Sequence, residues 1–171
     1  PIPGFEAVYL KGNHEDFLLR FIDAKDRGET WLMNGAPATL ASYGIDVFGI
    51  ADRFLDMEAV RDDFQAALPA SHLRFLRNLT LSHRARDYLF VHAGILPDVP
   101  VDEQDPFDMM WIRDEFLCSG MNFGVVVVHG HSQTHAPESF ENRIGIDTGA
   151  YRSGVLTCLV LEGGGQRFLH T

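Results

Sequence analysis

Ala7-Val8-Tyr9-Leu10-Lys11-Gly12-Asn13-His14-Glu15 is the stretch whose reading decides the fold. A short apolar run ends at Lys11-Gly12, and just beyond it Phe17, Leu18, Phe21 and Ile22 recur at helical spacing. Short apolar runs bounded by glycine read as buried strands, and the i, i+4 recurrence reads as one face of a helix. The stretch is therefore predicted as strand, tight turn and helix, with Gly12 permitting the sharp turn. Asn13 offers an amide oxygen and His14 an imidazole near a helix N-terminus. Read alone, the pair suits capping by Asn13 beside an exposed histidine better than it suits chemistry.

From Trp31 to Asn78 the pattern stays helical but broken. Met57, Val60, Phe64 and Leu68 share one face, Pro69 is a stop, and Leu73, Leu76 and Leu79 form the next face. Residues 31–78 are expected to be a helical insert within a single domain spanning 1–171. After it come four segments rich in aliphatic and aromatic residues, Tyr88 to Val91, Val125 to Val128, Arg143 to Ile146 and Val155 to Leu161, each predicted as a strand. A loop carrying Pro97, Pro100 and Pro106 separates the first two and leads into a predicted helix from Phe107 to Leu117 that ends near Gly120. Gly163-Gly164-Gly165 has the composition of a hairpin loop closing on Arg167 to His170. Strand, helices, then strands ending in a hairpin indicate an α/β domain with a mixed sheet.

The chain has 171 residues, 46% of them hydrophobic, enough for one domain with a real core. Lys and Arg number 14 against 24 Asp and Glu, a formal charge of -10 with the acids scattered. That balance argues against non-specific nucleic-acid binding, which needs clustered cations on phosphates. The two cysteines, Cys118 and Cys158, lie far apart and in no Cys-x-x-Cys arrangement, so a disulfide or zinc knuckle is not expected. No apolar stretch is long enough to span a bilayer, and residues 1–6 lack the marks of a signal peptide. A cytoplasmic protein without membrane contact is expected.

Residues capable of chemistry cluster immediately after strands, where loops on a rigid sheet present functional groups. His92-Ala93-Gly94 follows Tyr88 to Val91, so an imidazole with two small neighbours ends a buried strand. A hydrogen-bonded core histidine is the equally weighted alternative there. His129-Gly130-His131-Ser132 follows the valine run, with His135 close behind. Three imidazoles in seven residues after a buried strand point to a metal role for at least one of them. An amide oxygen and several imidazoles from separate strand ends suit Mn, Fe or Zn more than a purely oxygen-loving ion.

In this order the motifs resemble those of the metallophosphoesterase superfamily, and within it the bacterial Ser/Thr protein phosphatase (phosphoprotein phosphatase) branch. Gly12 to Glu15 resembles the Gly-Asn-His-Glu signature, His92 to Gly94 the His-Ala-Gly signature, and Gly130-His131-Ser132 the Gly-His-Thr position. Trp111-Ile112-Arg113-Asp114 and Ile146-Asp147-Thr148-Gly149-Ala150 are similar to its tryptophan segment and closing strand motif. The resemblance implies a calcineurin-like α/β/β/α sandwich, mixed sheets flanked by helices. It implies a phosphoesterase that attacks phosphoserine or phosphothreonine in proteins, or a small phosphoester, with a metal-activated water. Asn13, His92 and His131 would be ligands of the second metal ion, His14 the general acid, and Arg113 a phosphate-binding residue. Before the resemblance, Arg113 reads better as a surface arginine pairing with Asp114 or Glu115. His129 and His135 match no ligand position.

Two earlier signatures of the family, Gly-Asp-x-His-Gly and Gly-Asp-x-x-Asp-Arg-Gly, are not in the sequence. Asp26-Arg27-Gly28 spells part of the second, but it follows Gly-Asn-His-Glu and is read as a helix C-terminus with Gly28 as its stop. The expected shape is the family fold lacking its N-terminal βαβ portion. It would hold at most one divalent metal, Mn first, where a complete enzyme holds two, and its activity would be low or absent. The alternatives carried forward are a symmetrical dinucleoside-tetraphosphate hydrolase and an inactive phosphatase fold serving as a binding module.

Overall fold

In a computed structural model of the chain, residues 3–47 and 56–171 are described, and residues 48–55 of the expected insert lie outside them. The chain divides into two compact units, Asn13–Leu79 and the remainder, Pro1–Gly12 with Thr80–Thr171.

The first of these is helical. Its elements are α1 (Asn13–Ile22), α2 (Glu29–Met33), α3 (Ala36–Ser42), α4 (Met57–Ala67) and α5 (Ala70–Arg77). The face read from the spacing of Phe17, Leu18, Phe21 and Ile22 is the one α1 buries. An aromatic chain continues it, with Phe21 and Trp31 at 5.3 Å between centroids, Trp31 and Phe64 at 5.9 Å, and Tyr43 edge-on to Phe64 at 5.4 Å. Asp56 caps α4 by accepting from the Ala59 amide. Two α4 side chains satisfy carbonyls at the end of α1, Arg61 Nε donating to Phe21 O at 2.6 Å and Gln65 Nε2 to Ile22 O at 2.7 Å. The helix stop expected at Gly28 falls elsewhere. The helix α1 ends at Ile22, and Gly28 precedes α2 with φ 93°, where a Cβ would lie 2.7 Å from the Phe21 ring.

The second unit holds a five-stranded mixed sheet. Its strands are β1 (Ser82–Ala85), β2 (Tyr88–Val91), β3 (Val126–His129), β4 (Glu138–Ser139) and β5 (Arg143–Gly145), in the order β1-β2-β3-β5-β4. The inner strands β2, β3 and β5 run parallel, with Leu89 opposite Val127 and Val127 opposite Arg143, while β1 and β4 pair antiparallel at the edges. Sequence reading missed both edge strands. Each is short and mostly polar, which is how natural sheets blunt an edge and also what removes the apolar alternation that would reveal it.

On one face of this sheet, α6 (Pro106–Trp111) and α7 (Asp114–Leu117) pack Met109, Ile112 and Phe116 against Leu89, Val91 and Val127. The single helix expected from Phe107 to Leu117 is thus two, broken at Ile112–Arg113. Ile112 turns extended with ψ 144° while its side chain stays in the core, and Arg113 opens the next helix. A short helix α8 (Ala150–Ser153) precedes the hairpin of β6 (Thr157–Glu162) and β7 (Gly165–His170), which turns at Gly163 and Gly164, both at positive φ. The hairpin is tied to the larger sheet by Gln166 Nε2 donating to Ser139 Oγ at 2.8 Å.

Ala7 to Leu10, expected as a strand, forms one parallel bridge, Leu10 to Thr80, supported by Lys11 N donating to Thr80 O at 2.8 Å. Phe5, Val8 and Tyr9 are 75%, 41% and 55% exposed. An apolar run becomes a strand only against a ladder partner, and among the described residues the sheet order offers this one nothing beyond Thr80. Cys118 and Cys158 are free. Among the described residues no helix is long and apolar enough to cross a membrane.

Candidate functional site

Because β2, β3 and β5 are parallel, the loops leaving them open at one end of the sheet, the usual place for ligands on an open α/β sheet. His92 follows β2 directly, His131 lies two residues past β3, and Asp147 two residues past β5. The backbone ties the loops together, with Gly130 N donating to His92 O at 2.9 Å and Thr134 N to Asp147 O at 3.0 Å.

His131 sits in a strained conformation. Its φ is 61°, and Ser132 N donates to Gly130 O at 2.6 Å across it, the tight three-residue turn that a positive-φ centre produces. Strain of this kind persists only where surrounding structure imposes it, and it gathers at ligand sites. Here it aims the imidazole at the neighbouring loop, so that His92 Nε2 and His131 Nδ1 stand 3.2 Å apart with ring centroids 5.0 Å apart. Trp111 meets the His131 ring edge-on at 5.9 Å.

Arg113 supports the same turn. Its Nη1 donates to His131 O and to Ser132 Oγ, each at 3.3 Å, from a largely exposed side chain. The helix break at Ile112–Arg113 turns the guanidinium toward this loop, and no ion pair of Arg113 with Asp114 or Glu115 forms among the described residues.

Asp147 enters the reading only as part of the closing strand motif, yet it brings a carboxylate to this end of the sheet. A Cβ at Gly130 would stand 3.6 Å from Asp147 Cβ and 3.8 Å from its Oδ2, so the acid lies against the backbone between the two histidines of the His-Gly-His loop. Its Oδ1 accepts from Gly149 N at 2.9 Å. Behind it, Thr148 donates to Val155 O at 2.8 Å and its oxygen lies 2.9 Å from Thr157 Oγ1, which lies 3.0 Å from His170 Nδ1. This chain, buried at Thr148 and Thr157, ties the Asp147 loop to the β6–β7 hairpin.

His129 turns the other way. It is buried, edge-on to Phe116 at 5.0 Å, with Nδ1 3.1 Å from Gly130 O, and Nε2 has no hydrogen-bond partner among the described residues. A Cβ at Gly145 would come within 3.4 Å of its ring, so glycine opposite makes room for the imidazole. Burial pushes its pKa below the ordinary imidazole value, against an opposing pull from the Gly130 carbonyl. A neutral ring with Nδ1–H donating to Gly130 satisfies these constraints, and His129 serves as a core residue. His135 is exposed.

Asn13 and His14 open α1 and belong to the helical unit, Asn13 buried and His14 exposed. The boundary between units thus runs through Gly-Asn-His-Glu, between Gly12 and Asn13.

The histidine pair fits part of a metal shell. Two nitrogens each about 2.0–2.1 Å from one ion at a tetrahedral angle are about 3.3 Å apart, and the observed separation is 3.2 Å. Without an ion, one ring donates a proton to the other across the same gap. Among the described residues no three His, Cys, Asp or Glu side chains are grouped to hold an ion.

No family model and no curated protein sequence matches the chain. Among solved structures it is similar to the crystal structure of a "putative diadenosine tetraphosphatase", with a TM-score of 0.62 and 19% identity over 96% of this chain and 68% of that one. The likeness is one of fold, the mixed α/β, calcineurin-like arrangement of a mixed sheet flanked by helices.

Proposed function

We propose that the chain is a phosphoesterase that uses a divalent metal, with His92 and His131 as two of its ligands. The observation that carries the reading is the convergence of His92 Nε2 and His131 Nδ1 at 3.2 Å, with the Arg113 guanidinium bonded to the same strained turn. A bound ion would supply charge for the phosphoryl oxygens and acidify a water into a nucleophile at neutral pH. The chain's own groups do the rest. Arg113 keeps donors beyond the one already engaged and can grip phosphate in a fork that lysine cannot reproduce. Mn is the first candidate for the ion, with Fe and Zn as the others.

On its motifs the substrate is a phosphoserine or phosphothreonine protein. The solved neighbour favours a second reading, a symmetrical dinucleoside tetraphosphate. Mn-dependent hydrolysis of a phosphoserine peptide and of diadenosine tetraphosphate, each with His131→Ala as control, tests both. Turnover of either that disappears in the variant supports the phosphoesterase reading and picks the substrate class. Turnover that survives His131→Ala rejects this site, and a folded protein inert on both, and on a generic aryl phosphate, rejects the enzymatic reading.

A further inference from the structure

Beside the histidine pair lies an exposed aromatic surface on α6. Phe107 and Trp111 lie four apart on α6, on the same helix face, with their rings nearly parallel at 20° and centroids 6.0 Å apart. Phe107 remains 63% exposed although α6 already buries Met109 and Met110. The pair borders a cavity of about 290 Å³ whose other walls include Leu96, Asp108, Arg113 and Glu115.

The cavity is preformed. Gln104 accepts from Leu96 N at 2.7 Å and donates to Leu96 O and Val99 O at 2.9 Å each, which pins the rim loop. Asp105 caps α6 by accepting from Phe107 N at 2.7 Å, which holds the backbone under the outer ring. The inner ring, Trp111, touches His131, and Arg113 both lines the cavity and bonds the His131 turn. Cavity and histidine pair are thus adjacent.

We propose that this ledge is a nucleoside subsite, so that the phosphoester cleaved at the neighbouring histidines is a nucleotide. The inference rests on the phosphoesterase reading and, of the two substrate classes it carries, takes the nucleotide over the phosphoprotein. A parallel pair of rings with one exposed face offers stacking to any base, since every base has a π-face. Asp108 and Glu115 can only accept hydrogen bonds when ionised, which suits exocyclic amines and ribose hydroxyls and repels a phosphate. Arg113, at the side of the cavity facing His131, provides a cationic wall for a phosphate. The small volume fits a single base and sugar and sits at the low end for ligand pockets.

The test reads binding without metal and without turnover. The fluorescent nucleoside 2-aminopurine riboside is titrated into the full chain in EDTA, since its emission falls on stacking. Saturable quenching is expected, competed by adenosine and not by ribose 5-phosphate. It should weaken roughly 5- to 150-fold in Phe107→Ala, the range typical of one base–aromatic stack, and return in Phe107→Tyr. Quenching that is absent, or unchanged in Phe107→Ala, overturns the subsite. So does a KM for the phosphoserine peptide that rises in Phe107→Ala while the nucleoside does not bind, because the ledge would then belong to a peptide. Nucleoside binding that follows Phe107 in a protein inert on every phosphoester would retain the subsite and reject the phosphoesterase reading. Hydrolysis without nucleoside binding would do the reverse.

Discussion

Two apolar runs in this chain have nearly the same local grammar and different fates. Val125 to Val128 leads into His-Gly-His, and Ala7 to Leu10 leads into Lys-Gly-Asn-His. The valine run becomes the centre of the sheet, paired on both sides by β2 and β5, with Val127 fully buried. The other makes one bridge to Thr80 and leaves Val8 and Tyr9 to solvent. Composition differs a little, since three of the four residues in the second run are not β-branched, but β-propensity differences are small beside packing. Neighbours on both edges make the difference. They turn an apolar run into a rigid strand, and a rigid strand can aim the side chain at its end.

The sharpest way to break that comparison is to place the same charge in both runs. Val127→Asp should lower stability by more than about 3 kcal/mol, because it buries an unpaired carboxylate. Val8→Asp should stay within about 0.5 kcal/mol, as surface substitutions do. Urea unfolding of the two variants measures both, and equal losses would mean that Ala7 to Leu10 is buried after all.

A smaller effect is expected where the neighbouring strand ends. Gly94 follows β2 by three residues, and a Cβ there would lie 2.4 Å from Phe116 Cδ1 and 2.9 Å from Ile112 Cγ2. Gly94→Ala should therefore cost about 1–3 kcal/mol by overpacking. Thermal melts check the loss, and Gly94→Ala at wild-type stability would show that α7 yields. The motif needs glycine here to admit a phenylalanine ring.

The smallest effect concerns His129, at the end of β3. Its folded-state pKa lies below the ordinary value of about 6.5, so in mildly acidic solution the unfolded chain binds the proton and the folded chain does not. This contribution to stability is full above about pH 6.5 and is lost as pH falls from there toward the folded-state pKa. Unfolding free energies measured in EDTA between neutral and mildly acid pH should fall less steeply in His129→Asn than in the wild type. Identical slopes would place His129 in solvent.

Much of the architecture was legible because its signals are local. Tyr88 to Val91 is the strand its residues predict, Phe17, Leu18, Phe21 and Ile22 form the buried face that their spacing predicts, and the Gly163–Gly165 hairpin closes where expected. What stayed hidden was non-local. The polar strands β1 and β4 carry no period to read, and one helix became two because the core takes Ile112 while Arg113 turns to the His131 loop. At the candidate site, residue types and spacing placed His92, His129, His131 and His135 after strands but could not sort them from one another, and only the family resemblance pointed to Asn13, His14 and Arg113. His129 and His131 are two apart, yet one packs on Phe116 and the other meets His92.

The sequence by itself determined the mixed α/β class, the helical face of α1, and the placing of imidazoles directly after strands. These follow from side-chain period and from glycine and proline punctuation, which act within a few residues. Only the tertiary structure decided which apolar run would pair, which histidine would turn inward, and that His92 and His131 would meet at 3.2 Å. Those outcomes depend on contacts between residues far apart in the chain and on a positive φ at His131, uncommon for any residue but glycine.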